Sequence, residues 1–175
     1  MNLEAEILKE HSKQNTMRVV RWIGSDKKRF RELMALFLRG EYRVTQRAAW
    51  VLRHCAERDQ SLVEPYLAKM VNRMLEPGVH VAVKRNVVGI LQEIEIPRRL
   101  LGRIATICFD FLASQDETIA VRAFSMTVLA NIAASEPDLK NELRLMIEQQ
   151  LPWEGAAFQS RARHVLKQLN GGKAT

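Results

Sequence analysis

Four segments of the chain share one spacing of apolar and small residues. In each segment, an apolar residue is followed four, seven, eight and eleven positions later by another apolar or small residue. The segments are Val44, Ala48, Val51, Leu52, Cys55; Val83, Val87, Ile90, Leu91, Ile94; Val121, Ser125, Val128, Leu129, Ile132; and Phe158, Ala162, Val165, Leu166, Leu169. The leucines eight positions into each segment are 39, 38 and 37 residues apart, and a period of this length is typical of stacked helical repeats.

On a helix, these offsets fall on one stripe, and the spacing predicts that the stripe faces a core. A second apolar helical pattern precedes each segment, so each repeat is expected to be an antiparallel helix pair that cannot bury its stripe alone. The sequence therefore predicts an all-α fold, an α-α superhelix of about four to five stacked helix pairs. The expected boundaries are divergent capping helices at 1–24, repeats at 25–57, 60–95, 97–134 and 137–170, and a tail at 171–175.

The composition favours one domain and limits the chemistry. The chain has 175 residues, of which 47% are hydrophobic and 27% charged, and no apolar run is long enough to cross a membrane. The N-terminus lacks the pattern of a signal peptide, so we expect a cytoplasmic protein. Cys55 and Cys108 are expected to be buried free thiols, and the four histidines lack metal-ligand spacing. Asp110 lies in an apolar sequence and is either a catalytic carboxylate or, as we favour, a residue on the outer face of a first helix.

The openings of the second and third repeated segments resemble the HEAT repeat family. In that family, an apolar residue and Arg or Lys commonly open the second helix, as in Val121-Arg122 and Val83-Lys84. The resemblance covers roughly residues 25 to 170 and implies stacked helix pairs. It also implies an ion-pair ladder between a turn Asp and the helix Arg, a role that Asp116 and Arg122 fit by spacing. Because such scaffolds serve many partners, the resemblance implies a fold but not a function.

A narrower resemblance leads to an enzyme hypothesis. Some bacterial DNA glycosylases that excise alkylated purines are small, basic proteins built from HEAT-like repeats, and they need an acidic residue beside aromatic side chains. The chain offers Trp22 and Trp50, but the second helices supply only Glu93 as an exposed interior carboxylate. We therefore expect no catalytic residue, no cofactor and no metal, and we favour a non-enzymatic scaffold.

Positions two, six and nine residues after each opening apolar residue are expected to line a groove between the second helices. With a flanking arginine, the candidate groove residues are Arg47, Trp50, Arg53, Arg85, Gln92, His164 and Lys167. These side chains are suited to a phosphate-bearing or acidic ligand, with the tryptophan covering an apolar group. The alternative is that Trp50 is packed and the arginines are ordinary solvated surface.

Positive charge is concentrated near the N-terminus. Residues 1–58 hold thirteen Lys and Arg against seven Asp and Glu, whereas the remainder holds fourteen against thirteen. The densest cluster consists of Arg18, Arg21, Lys27, Lys28, Arg29 and Arg31. The first hypothesis is a partner protein with an acidic segment, and the alternative is a nucleic acid whose phosphates this cluster contacts. A third interpretation, which we favour for this cluster by itself, is the solvated face of a helix.

Overall fold

The computed structural model describes residues 1–171, and within that range the chain consists of α-helices and short 3₁₀ turns without a strand. The 3₁₀ turns cover Gln60–Leu62, Glu64–Tyr66 and Leu151–Trp153. The helices are α1 (Leu3–Lys9), α2 (Lys13–Ile23), α3 (Lys27–Arg39), α4 (Tyr42–Arg58), α5 (Leu67–Met74), α6 (Val81–Leu91), α7 (Arg98–Ala113), α8 (Ile119–Ser135), α9 (Leu139–Gln150) and α10 (Ala156–Asn170).

Several helices begin where a short polar side chain satisfies otherwise unpaired backbone N–H groups. Asn2, Ser12 and Thr118 each accept a hydrogen bond from the backbone N–H three residues later, and Asp26 accepts two, from Lys28 and Arg29. These N-caps stabilise helix starts by the mechanism that makes such residues common there. The α2–α3 turn also needs glycine, because Gly24 has a φ of 52°, which side chains rarely tolerate.

The helices form two compact units, of which the first spans Met1–Ile94. In this unit α3 packs on α4, α4 packs on α6, and α1 and α2 both pack on α4. The predicted stripe from Val44 to Cys55 is buried on α4, and it meets the buried face of α3 around Leu33 and Phe37, both fully buried. Helix α4 is therefore the central element of the first unit.

The second unit begins at Glu95. Helix α8 is its centre, since α7, α9 and α10 all pack on it, and its mean hydropathy is the highest of the helices. The predicted stripe from Val121 to Ile132 is buried on α8, whereas in α10 Leu166 and Leu169 are only half-buried. The apolar stripes predicted from the sequence thus match the buried residues, and the match is weakest in α10.

The prediction of an all-α fold of paired helices is confirmed. The prediction of one domain stays a prediction, because the contacts divide the chain into two units. Of the tail predicted at 171–175, all but Gly171 lies outside the described residues. No helix among residues 1–171 is long and apolar enough to cross a membrane.

Candidate functional site

Two arginines of the first unit share one face of the α4–α6 helix pair. The guanidinium of Arg53, on α4, lies against Gly89 of α6, where a Cβ atom would come within 3.1 Å of Arg53 Nη1. Arg85 is exposed and precedes Gly89 by four residues, so it lies one helical turn away on the same face. Gly89 therefore provides the close approach that brings the Arg53 side chain across to the helix that carries Arg85.

Trp50 lies one turn before Arg53 on α4 and is half-buried. Its ring is 5.2 Å from the ring of His11, in the α1–α2 turn, and 6.1 Å from that of His54, measured between centroids. The carboxylate of Glu57 lies 2.7 Å from His54 Nδ1 and 3.4 Å from Arg53 Nε. The indole thus contributes apolar surface beside the arginines, and the carboxylate of Glu57 partly neutralises Arg53.

Arg47 and Gln92, which the sequence placed in the same groove, have other roles or settings. Arg47 Nη1 donates hydrogen bonds to the carbonyl oxygens of Ile7, at 3.1 Å, and Leu8, at 2.6 Å, and so caps the C-terminus of α1. A cation at this end of a helix also interacts favourably with the helix dipole. Gln92 is half-buried at the C-terminal end of α6. Arg47 is therefore engaged in holding α1 against α4.

In the second unit, the groove positions of α10 are exposed. Ser160, His164 and Lys167 all lie on the solvent side of that helix, and the first two line an open depression of about 830 Å³ between α8 and α10. Arg161 borders it and donates a 2.7 Å hydrogen bond to Thr127 Oγ1. Small side chains, Ala120, Ala123 and Ala157, also line the depression.

The basic cluster divides into engaged and exposed members. Arg18 forms an ion pair with Glu6, and Arg29 pairs with Asp26 at 3.4 Å and lies over the ring of Trp22 at 4.6 Å. The exposed members are Arg21, Lys27, Lys28 and Arg31. Arg18 and Arg29 are thus held by contacts within the chain, although the side chain of each is still 43% exposed.

Arg122 requires a correction. The family resemblance implied a ladder contact with Asp116, but Arg122 is only 3% exposed and pairs instead with Glu154 at 2.5 Å. Asp116 is exposed in the α7–α8 turn, whereas Glu154 lies in the α9–α10 turn, next to the buried end of the guanidinium. The ion pair therefore joins α8 to the α9–α10 turn of the next helix pair. Its two residues are 32 positions apart, so the spacing within one repeat does not predict it.

The cysteines and the acidic side chains are the groups that a metal site or a reactive thiol would require. No group of three His, Cys, Asp or Glu side chains between residues 1 and 171 is arranged to hold a metal ion. Both cysteines are buried free thiols, as predicted, and burial raises the pKa of Cys55 and of Cys108 from 9.0 to about 12. Asp110 is exposed on α7. At neutral pH neither thiol is a reactive thiolate, because only the deprotonated form is nucleophilic.

The burial and raised pKa values of the two thiols predict slow thiol–disulfide exchange in the native protein. At pH 8 we expect the native chain to react with Ellman's reagent only as fast as it unfolds, and the chain in urea to react at both cysteines. Since the folded-state pKa exceeds the unfolded one, these thiols stabilise the fold fully below pH 9 and progressively less between pH 9 and about 12. A Ser160→Cys variant is the control, because that exposed position should react at once. Fast reaction of Cys55 or Cys108 in the native state would contradict the burial.

The paired helices and solvent-facing side chains define an α-helical repeat scaffold. A model of the HEAT repeat domain matches residues 3–169, and the chain belongs to that family. Neither a curated protein nor a solved structure matches the chain. Family membership indicates a helical scaffold of the kind that mediates interactions and is typically non-enzymatic.

Proposed function

We propose that the chain binds an acidic segment of another protein on the α4–α6 face of its first unit. The observation that supports this proposal best is the packing of the Arg53 guanidinium against Gly89, which brings Arg53 onto the helix face that carries Arg85. Two arginine side chains on one helix face suit the bidentate recognition of carboxylates, and the half-buried ring of Trp50 suits an apolar neighbour of those carboxylates.

The charge of the first unit supports the same partner. Residues 1–94 contain seventeen Lys and Arg against eleven Asp and Glu, whereas residues 95–175 contain ten against nine. Arg85 makes no ion pair within residues 1–171, so its charge is available to a ligand. A surplus of positive charge on one unit accelerates the encounter with an acidic segment and favours it over basic partners.

Replacing the two arginines should weaken binding of an acidic peptide. The probe is a fluorescein-labelled, Glu-rich peptide of about twelve residues with one central leucine, which spans roughly 40 Å when extended. We expect Arg53→Gln with Arg85→Gln to raise its Kd about tenfold, because the loss of two guanidinium contacts is worth at least about 1.4 kcal/mol. Fluorescence anisotropy at near-physiological salt measures the change.

The matched control removes the same charge elsewhere. Arg99→Gln with Arg163→Gln changes two exposed arginines of the second unit, so it lowers the net charge equally and should alter Kd no more than about twofold. Equal weakening by both pairs would mean that the peptide senses only net charge, which would contradict a site on the α4–α6 face. Absence of binding to the wild-type chain would contradict the proposal outright.

A nucleic acid is the second candidate, and the four exposed cations Arg21, Lys27, Lys28 and Arg31 favour it. Each phosphate that these side chains neutralise would release counterions, so binding would fall steeply with salt. Titration of the same protein with labelled duplex DNA and single-stranded RNA at several salt concentrations distinguishes the two partners. Binding that persists at near-physiological salt and depends on Lys27 and Lys28 would favour the nucleic acid.

A further inference from the structure

The second unit contains a groove that the family does not explain. It lies between α7 and α9, both of which pack on α8, and it has a volume of about 740 Å³. Its lining combines apolar and charged side chains, and three of the large apolar ones, Leu101, Phe109 and Leu139, are only half-buried. A groove of this size with incompletely covered apolar walls has the character of a binding site.

The charges around this groove are opposite in sign to the rest of the protein. Four carboxylates line it, those of Asp110, Glu136, Asp138 and Glu142, against one cation, Arg98. None of the four makes an ion pair with any residue in the part of the chain that the structure describes. A protein with a net charge of +7 thus carries a local surplus of negative charge around an apolar groove.

Gly102 lies in the second turn of α7 and lines the groove. A Cβ atom built there meets no atom within 4 Å, and the residue is exposed. Glycine inside a helix is destabilising relative to alanine, and neither a positive φ nor a close contact requires it at this position. The missing side chain leaves space between α7 and α9 that a side chain of a bound partner can occupy.

We propose that the α7–α9 groove binds a basic amphipathic helix of a partner protein. The apolar walls match the apolar face of such a helix, and the four carboxylates match its Lys and Arg residues. The α7 wall from Arg98 to Asp110 is about 18 Å long, which is the length of about three helical turns. A helix is the conformation that fits, because helical walls offer no free backbone groups to pair with an extended strand.

A second copy of the chain fits this groove less well than another protein does. The most basic helix of the first unit is α3, but its apolar side chains Phe30, Leu33 and Phe37 are at most 1% exposed. They are already part of the chain's own core and cannot enter a neighbour's groove without unfolding the first unit. The occupant is therefore a separate basic segment whose apolar face is free.

The test uses a synthetic probe, a labelled helical peptide of about fourteen residues with Leu on one face and Lys on the other. Its matched control has Glu in place of every Lys and the same apolar face. In the Arg53→Gln with Arg85→Gln protein, which lacks the proposed acidic-segment site, we expect the Lys peptide to bind and the Glu peptide to bind at least about tenfold more weakly. Amide hydrogen exchange of the complex should show protection in α7 and α9.

Three variants test the contacts. Gly102→Trp should fill the groove and weaken binding at least about tenfold, and Asp110→Lys with Glu142→Lys should do so through charge. Gly102→Ala is the fold control, since it adds one methyl group in open space and should keep the affinity within about threefold. Equal affinity for the wild type and Gly102→Trp, with Gly102→Trp still folded by circular dichroism, would overturn the proposal.

The outcome is separable from that of the acidic-segment proposal. Arg53→Gln with Arg85→Gln should leave binding of the Lys peptide unchanged, because both residues lie in the first unit. Sedimentation of the chain alone tests the second-copy alternative. A dimer that Gly102→Trp dissociates would overturn the assignment to a separate protein, whereas a monomer with a Lys-peptide site in α7 and α9 would support it.

Discussion

Replacing Arg122 by methionine should lower the free energy of unfolding by about 3–5 kcal/mol. Its guanidinium is buried and donates hydrogen bonds to the carbonyl oxygen of Leu112 and to the side chains of Gln115, Gln150 and Glu154. Methionine preserves much of the length and apolar volume but leaves the Glu154 carboxylate, only 10% exposed, without its cation. An unpaired buried charge accounts for most of the expected loss. Urea titration followed by circular dichroism measures it.

Two further variants show whether the ion pair is responsible. Arg163→Met makes the same chemical change at an exposed position of α10 and should alter stability by no more than about 0.5 kcal/mol. Arg122→Met combined with Glu154→Leu removes both charges and should recover at least about 1 kcal/mol of the single-variant loss. If Arg122→Met costs as little as Arg163→Met, the ladder contact does not stabilise the second unit.

Phe37→Ala should destabilise the first unit by about 3–5 kcal/mol. Phe37 is fully buried on α3, which packs on α4, so truncation removes its apolar contacts and leaves a cavity between these helices. The loss is a large part of the roughly 5–15 kcal/mol that stabilises a typical domain. Leu38→Ala on the same helix is the control, since Leu38 is half-buried and its truncation should cost only about 1 kcal/mol.

Hydrogen exchange of the Phe37→Ala protein also tests the prediction of one domain. In repeat proteins, stability is approximately a sum over repeats and their neighbours, and destabilisation remains local when coupling is weak. Faster exchange confined to α1 to α6 would indicate that the first unit unfolds by itself. An equal acceleration throughout α9 and α10 would indicate a single cooperative domain.

The helices could be predicted from the sequence because their apolar spacing is local. The stripe beginning at Val44 needs only the 3.6-residue period to be assigned to a buried face, and the same is true of the stripe beginning at Val121. The groove-facing positions of α4 followed from the same register, and Trp50 and Arg53 are indeed outside the buried stripe. What these side chains bind stays a prediction, since helix periodicity carries no information about a ligand.

The long-range contacts could not be predicted in this way. Arg47 was expected in the groove, but whether it reaches α1 depends on how the α1–α2 turn returns along α4. Burial of Arg122 depends on Gln150 and Glu154, which belong to another helix pair. The signal available in the sequence was the unusual position of a charged residue within the very apolar helix α8, which requires a partner if it is buried.

The α7–α9 groove was missed for a different reason. Asp110 is exposed on the first helix of a pair, as the sequence predicts. The pattern of α7 alone does not reveal that α9 forms the other side of a groove along this face. Gly102 was the available clue, because an exposed glycine inside a helix lowers stability and has no role in a turn there. Pairing that clue with the acidic residues near 138 required the arrangement of α7 and α9 on α8.

The contact between Arg122 and Glu154 restricts how repeats can be exchanged in this protein. Repeat arrays change length by gaining or losing whole helix pairs, and any pair spliced in after α8 would have to present its own carboxylate to the guanidinium. A consensus repeat with a neutral turn would strand the arginine in an apolar junction. A chimaera built at this junction should therefore keep α8 and the α9–α10 turn together as one cassette, or replace both ends of the ion pair at once.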